Sequence, residues 1–116
     1  MRENNYMSQV FELIVSIVNR GYSDTVMEAA RHAGASGGTV LHARGTGTHE
    51  VEKFFGITIQ PEKEILLIVS KKEARNDIMR AIVKAAGLNT EGSGISFSLP
   101  VSDVLGIANG ISPDTE

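Results

Sequence analysis

At 116 residues, with a formal net charge of −3, 41% hydrophobic and 22% charged residues, the chain has the make-up of one soluble domain and no room for a second lobe. The absence of cysteine excludes disulfides, thiolate metal sites and a cysteine nucleophile together. No apolar run approaches the ~20 residues of a membrane span; there is no Lys/Arg cluster to track phosphates, and two tyrosines and four phenylalanines make poor stacking material, so membrane insertion and nucleic acid are both excluded as partners.

Met1-Arg2-Glu3-Asn4-Asn5 leads into a strand-like segment without a small-residue cleavage site, so the reading is a cytoplasmic protein, one domain over 1–116 with flexible tails at 1–6 and 109–116. Val10 to Val18 is β-branched and bounded by Asn19-Arg20-Gly21, which predicts a strand. Ser23, Asp24 or Thr25 then caps a helix, Thr25 and Glu28 form a candidate capping box, and Gly34 stops it. Val26, Met27, Ala29, Ala30 and Ala33 give that helix its apolar stripe.

Gly37-Gly38 turns the chain into a second strand, Thr39 to Arg44, which runs into Gly45-Thr46-Gly47 and a polar stretch up to Lys53 with neither helical nor strand periodicity. Phe54 to Gln60 again has strand character, with Phe54-Phe55 anchoring the end of the loop, and Pro61-Glu62-Lys63 breaks it. Glu64 to Val69 is a strong strand. Ser70-Lys71-Lys72-Glu73 reads as a capping box, Ala74, Ile78, Ile82 and Ala85 mark one helical face, and Gly87 ends it. The last strand is Ile95 to Leu99, entered through Asn89-Thr90-Glu91-Gly92-Ser93-Gly94.

The two halves match. Glu12-Leu13-Ile14-Val15 corresponds to Glu64-Ile65-Leu66-Leu67, Asp24 to Asp77, and Ala33-Gly34 to Ala86-Gly87. A β-α-β unit used twice predicts an α+β, ferredoxin-like βαββαβ domain, with a four-stranded antiparallel sheet and both helices on one face. Yet the central strands are apolar on both faces, Phe11, Leu13, Val15, Ile17, Ile65, Leu67 and Val69 opposing Val10, Ile14, Val18, Leu66 and Ile68. Two helices cover one face only, so the pattern predicts that another subunit buries the second.

Over roughly Val10 to Ile107 the chain resembles the PII (nitrogen regulatory) signal-transduction proteins. The resemblance is carried by Thr39 to Arg44 running into Gly45-Thr46-Gly47, as that family's second strand enters its T-loop. Gly92-Ser93-Gly94 followed by Ile95-Ser96-Phe97 is similar to its B-loop, and Pro100-Val101-Ser102-Asp103-Val104 to its C-terminal segment. It implies a sensor and not an enzyme: a homotrimer with an adenine nucleotide (ATP, ADP or AMP) in each intersubunit cleft, no covalent cofactor, and a loop that engages a transporter, enzyme or regulator. The ligand would be held by Arg44, Gly45, Thr46, Gly47, His49, Thr90, Gly92, Ser93 and Gly94, the effector loop being Thr48, His49, Glu50, Val51, Glu52 and Lys53. Glycine-rich loops let backbone N–H groups approach phosphates without catalytic side chains.

The departures fall at the phosphate end. Ile95 stands where the family carries a lysine, Gly106 and Ala108 where it carries arginines, and His49 aligns with its loop glutamine. Losing such cations removes charge-assisted contacts of about 1.5–3 kcal/mol each, which points to a less charged nucleotide or another small anion. The loop is also shorter and has no tyrosine to modify. Two other readings stand beside the sensor. One is a structural trimer of the CutA sort, which has no need of the glycines; the other is a small ferredoxin-like enzyme with His42 or His49 as general base. For His42 itself a hydrogen-bonded structural role is expected, and for His42, His49, Glu50 and Glu52 no metal site.

Overall fold

The computed structural model describes residues 10–45, 52–54, 57–59, 61–88 and 94–106, with 52–54 and 57–59 described as backbone. Strand β1 (Phe11–Asn19) is followed by helix α1 (Ser23–His32), β2 (Thr39–Arg44), β3 (Glu52–Phe54), β4 (Ile57–Ile59), β5 (Glu62–Lys71), helix α2 (Lys72–Ala86) and β6 (Gly94–Val101). The main sheet has the order β2-β5-β1-β6 and every pairing in it is antiparallel. This is the ferredoxin-like α+β arrangement expected from the doubled unit. The tails expected at 1–6 and 109–116 lie outside the described residues.

The alternation of β1 and β5 decides what lies beneath the helices. Ile14 and Val18 of β1 and Leu66 and Ile68 of β5 point to one face, where they meet Val26, Met27 and Ala30 of α1 and Ile78, Ile82 and Ala86 of α2. Each large aliphatic chain there gains about 1.5–3 kcal/mol by leaving water. On α2 the buried residues recur at four-residue spacing, so one stripe faces the sheet. Gly87 then ends the helix in the left-handed conformation, φ 66°, its N–H donating to Val83 O, while Leu88 folds back onto the core.

Two local expectations need correction. Neither helix is capped by its own Ser or Thr: α1 begins after Tyr22 and α2 after Lys71, without a side-chain cap from either. β5 runs on through Ser70 and Lys71, so Ser70 is still in the ladder, where its Oγ donates to Lys71 O. The Lys72 N–H instead donates to Val10 O at 2.8 Å. The run Phe54 to Gln60 is not one strand either. Phe54 pairs with Ile57 and Glu52 with Ile59, a hairpin in a sheet of its own, which also places Glu52 and Lys53 in a strand rather than in an irregular loop.

The two repeats hold each other through buried carboxylates. Glu12 of the first accepts from Arg75 Nη1 of α2 at 2.9 Å. Its counterpart Glu64 reaches the start of α1, where Oε1 accepts from the Gly21 and Ser23 amides at 3.1 Å each. Both glutamates therefore serve the helix of the opposite half.

The other sheet face has no cover among the described residues. Leu41, Ile65, Ile17 and Ile95 form one cross-strand row, Thr39, Leu67, Val15 and Phe97 the next, and Val69, Leu13 and Leu99 a third. Leu41, Ile95, Phe97 and Leu99 remain 39–54% exposed.

Candidate functional site

The sequence-predicted residues that are described sit at one end of the sheet. Arg44 and Gly45 close β2, opposite Glu62 and Pro61: Arg44 pairs with Glu62 and the Gly45 N–H donates to Pro61 O at 3.3 Å. The chain between Gly45 and Pro61 is thus pinned at its base as a continuation of the β2–β5 ladder. Gly94 opens β6 opposite Val18. Since Val18 in turn pairs with Glu64, Gly94 and Arg44 share this end but occupy opposite edges, three strand spacings or about 14 Å apart. Within one chain, Gly45 and Gly94 therefore stand apart.

Their glycines also differ in what the fold asks of them. A Cβ on Gly45 would meet nothing within 4 Å, and its φ lies outside the left-handed region, so the fold gives no reason for glycine there. A Cβ on Gly94 would fall 2.0 Å from Ile17 O, at φ 136°, so close strand approach accounts for glycine at that position. Thr46, Gly47, Thr48, His49, Glu50, Val51, Thr90, Gly92 and Ser93 lie outside the described residues.

Around the loop root stands a polar group that sequence reasoning largely missed. Arg20 Nη1 donates to Glu62 Oε1 at 3.0 Å on the surface. Lys63, buried, donates from Nζ to Asn19 Oδ1 at 2.6 Å. Glu64, next along β5, is only 7% exposed. Burial alone would raise its pKa, but the Ser23 side chain and amide, the Gly21 amide and the nearby His42 together outweigh it and hold the carboxyl below its ordinary value. The local signal for Glu64 was its place in the repeat, as the counterpart of Glu12.

His42 lies on the helix side of β2, opposite Leu41 and Ala43 as alternation requires. Its Nδ1 is 3.9 Å from Glu64 Oε2 and its side chain is 82% exposed. That separation is too long for a hydrogen bond, so the hydrogen-bonded role expected for His42 gives way to a charge contact when the ring is protonated. No three His, Asp or Glu side chains gather as a metal cluster among the described residues. An open groove of about 580 Å³ on α2, lined by Asn76, Met79, Arg80, Val83 and Lys84, contains none of the predicted residues.

The described site residues thus lie at one end of a ferredoxin-like sheet, at the root of the chain between Gly45 and Pro61, and one apolar face of that sheet is uncovered among the described residues. The family model described as nitrogen regulatory protein P-II matches residues 11–110. The chain belongs to that family. Among solved structures it is similar to the Arabidopsis thaliana PII bound to citrate, with 28% identity, 92% of each chain covered and a TM-score of 0.68. No curated protein matches. No helix among the described residues is long and apolar enough to cross a membrane.

Proposed function

We propose that this chain is a PII-type regulatory homotrimer that senses an adenine nucleotide or another small anion in the cleft between subunits. The signal leaves through Gly45 to Lys53 to a protein partner, a transporter, an enzyme or a regulator. The observation that supports this reading is that Arg44 and Gly45, at the start of one glycine motif, and Gly94, at the end of the other, stand on opposite sheet edges. A ligand touching both needs the β2 edge of one copy beside the β6 edge of the next, and the uncovered apolar rows supply the surface that brings copies together. The citrate of the Arabidopsis relative is a small polyanion of the class proposed here. The enzyme reading gains nothing from His42, whose Nδ1 lies 3.9 Å from Glu64 Oε2, beyond hydrogen-bond reach, while the other oxygen of that carboxylate accepts the Gly21 and Ser23 amides.

Calorimetric titration with ATP, ADP, AMP, cyclic nucleotides, citrate and bicarbonate tests the sensor directly; no heat with any of them sinks it. Gly45→Ala should weaken the anion that binds by about three- to tenfold, the loss of one backbone approach, with melting temperature and mass unchanged. A CutA-like structural trimer would ignore the substitution. Phe97→Glu puts a charge in the middle of the apolar rows and should reduce the particle seen by light scattering to a monomer. A variant that keeps the parent mass would mean that the assembly does not use this face.

A further inference from the structure

Register sets Glu62 between two guanidiniums. Arg44 is its cross-strand partner on one side; on the other, Arg20 follows Asn19, the partner of Lys63, and its amide donates to Glu62 O at 3.3 Å. One carboxylate cannot satisfy both arginines equally. It goes to Arg20, whose Nη1 lies 3.0 Å from Oε1, while Arg44 has no ion-pair partner among the described residues. At 67% and 56% exposure the Arg20–Glu62 pair is a poor stabiliser of the fold. An exposed pair of this kind is still strong enough to decide which guanidinium the carboxylate occupies.

We infer that Arg20 is a positioning residue of the loop-root site: by holding the carboxylate of Glu62 it keeps the guanidinium of Arg44 open to a carboxylate or phosphate group. The inference rests on the anion-sensing reading above. Without Arg20, the Glu62 side chain turns to its other neighbour, cancels the charge of Arg44 and fills the fork that an incoming oxyanion needs. Arg20 itself has no need to touch the ligand.

The test is an NMR titration of the full chain, following the arginine Nε–Hε signals, with sodium citrate as the carboxylate arm and ADP as the phosphate arm. In the parent, the Arg44 signal moves with at least one of them. In Arg20→Ala the apparent Kd rises about three- to fivefold, and the Arg44 signal is already displaced before any anion is added. Adding Glu62→Gln to Arg20→Ala restores both the affinity and the ligand-free signal. Unchanged affinity in Arg20→Ala overturns the inference, as does a loss that Glu62→Gln does not rescue, which would make Arg20 a direct contact. If neither anion moves Arg44 in the parent, the sensing reading fails; the ligand-free spectra then still decide whether Arg20 controls the pairing of Glu62.

Discussion

Gly94→Ala should unfold at least about 10 °C below the parent, or accumulate as aggregate. Gly94 makes the first pair of the β1–β6 ladder, opposite Val18. An added Cβ would lie 2.0 Å from Ile17 O and 3.2 Å from Leu88 Cδ2, and the backbone has φ 136°. The leucine can move, but the carbonyl belongs to the central strand of the sheet. Alanine at such a φ costs about 1–3 kcal/mol before any clash is counted. Relieving the clash then means parting β6 from β1 at the point where their pairing begins. A total near 3–5 kcal/mol is a large share of the ~5–15 kcal/mol that holds a domain of this size, and each kilocalorie lowers its melting point by about 3–6 °C. Gly45→Ala is the control, since its Cβ meets nothing within 4 Å. A Gly94→Ala protein within about 1 kcal/mol of the parent in urea unfolding would mean that the strand can shift away from Ile17 without loss, and the argument from close approach would fail.

The contrast between these two glycines marks where the sequence was legible. Glycine before Ile95 and glycine after Arg44 look alike as letters, and both read as ligand-cradling loops; only the cross-strand partner distinguishes them. β1, β5, α2 and β6 were readable because their side-chain periods are dictated by one neighbouring layer, and the structure moves their ends by no more than a residue or two. The uncovered second face was readable for the same reason, since Leu13, Val15 and Ile17 alternate with residues the helices bury. The helix starts were not. A capping box is a local pattern, but α1 is served by Glu64, 41 residues from Ser23, and the box at Ser70 lost to two more residues of strand. The β3–β4 hairpin was hidden in a run of strand formers, with Gly56 between the Phe54–Ile57 pair as the signal that could have found it. The Arg20–Glu62–Arg44 row needed register, which single-strand patterns do not contain.

Glu64→Gln should cost about 1–3 kcal/mol at pH 7 and progressively less as the pH falls. Oε1 accepts two amides, those of Gly21 and Ser23, from a nearly fully buried position. A charged acceptor makes such bonds worth about 1.5–3 kcal/mol each, and glutamine keeps the shape but not the charge at the positive end of α1. The sign follows from the depressed pKa. Because the folded carboxyl holds its proton less tightly than the unfolded one, its contribution is complete above the unfolded value of about 4.3 and disappears as the pH drops through the lower folded value. Urea unfolding of parent and variant between pH 7 and pH 3 should therefore give curves well separated at neutral pH that draw together once the pH falls below the unfolded carboxyl value. His42 adds a check, because its charge is one of the causes that lower Glu64. In His42→Ala the convergence should be complete at slightly higher pH, with the neutral-pH stability changed by less than about 1 kcal/mol, as befits so exposed a ring. Parallel curves for parent and Glu64→Gln across the whole range would show that the carboxylate titrates as it does in the unfolded chain, and the amides of α1 would then have to be held by something other than its charge.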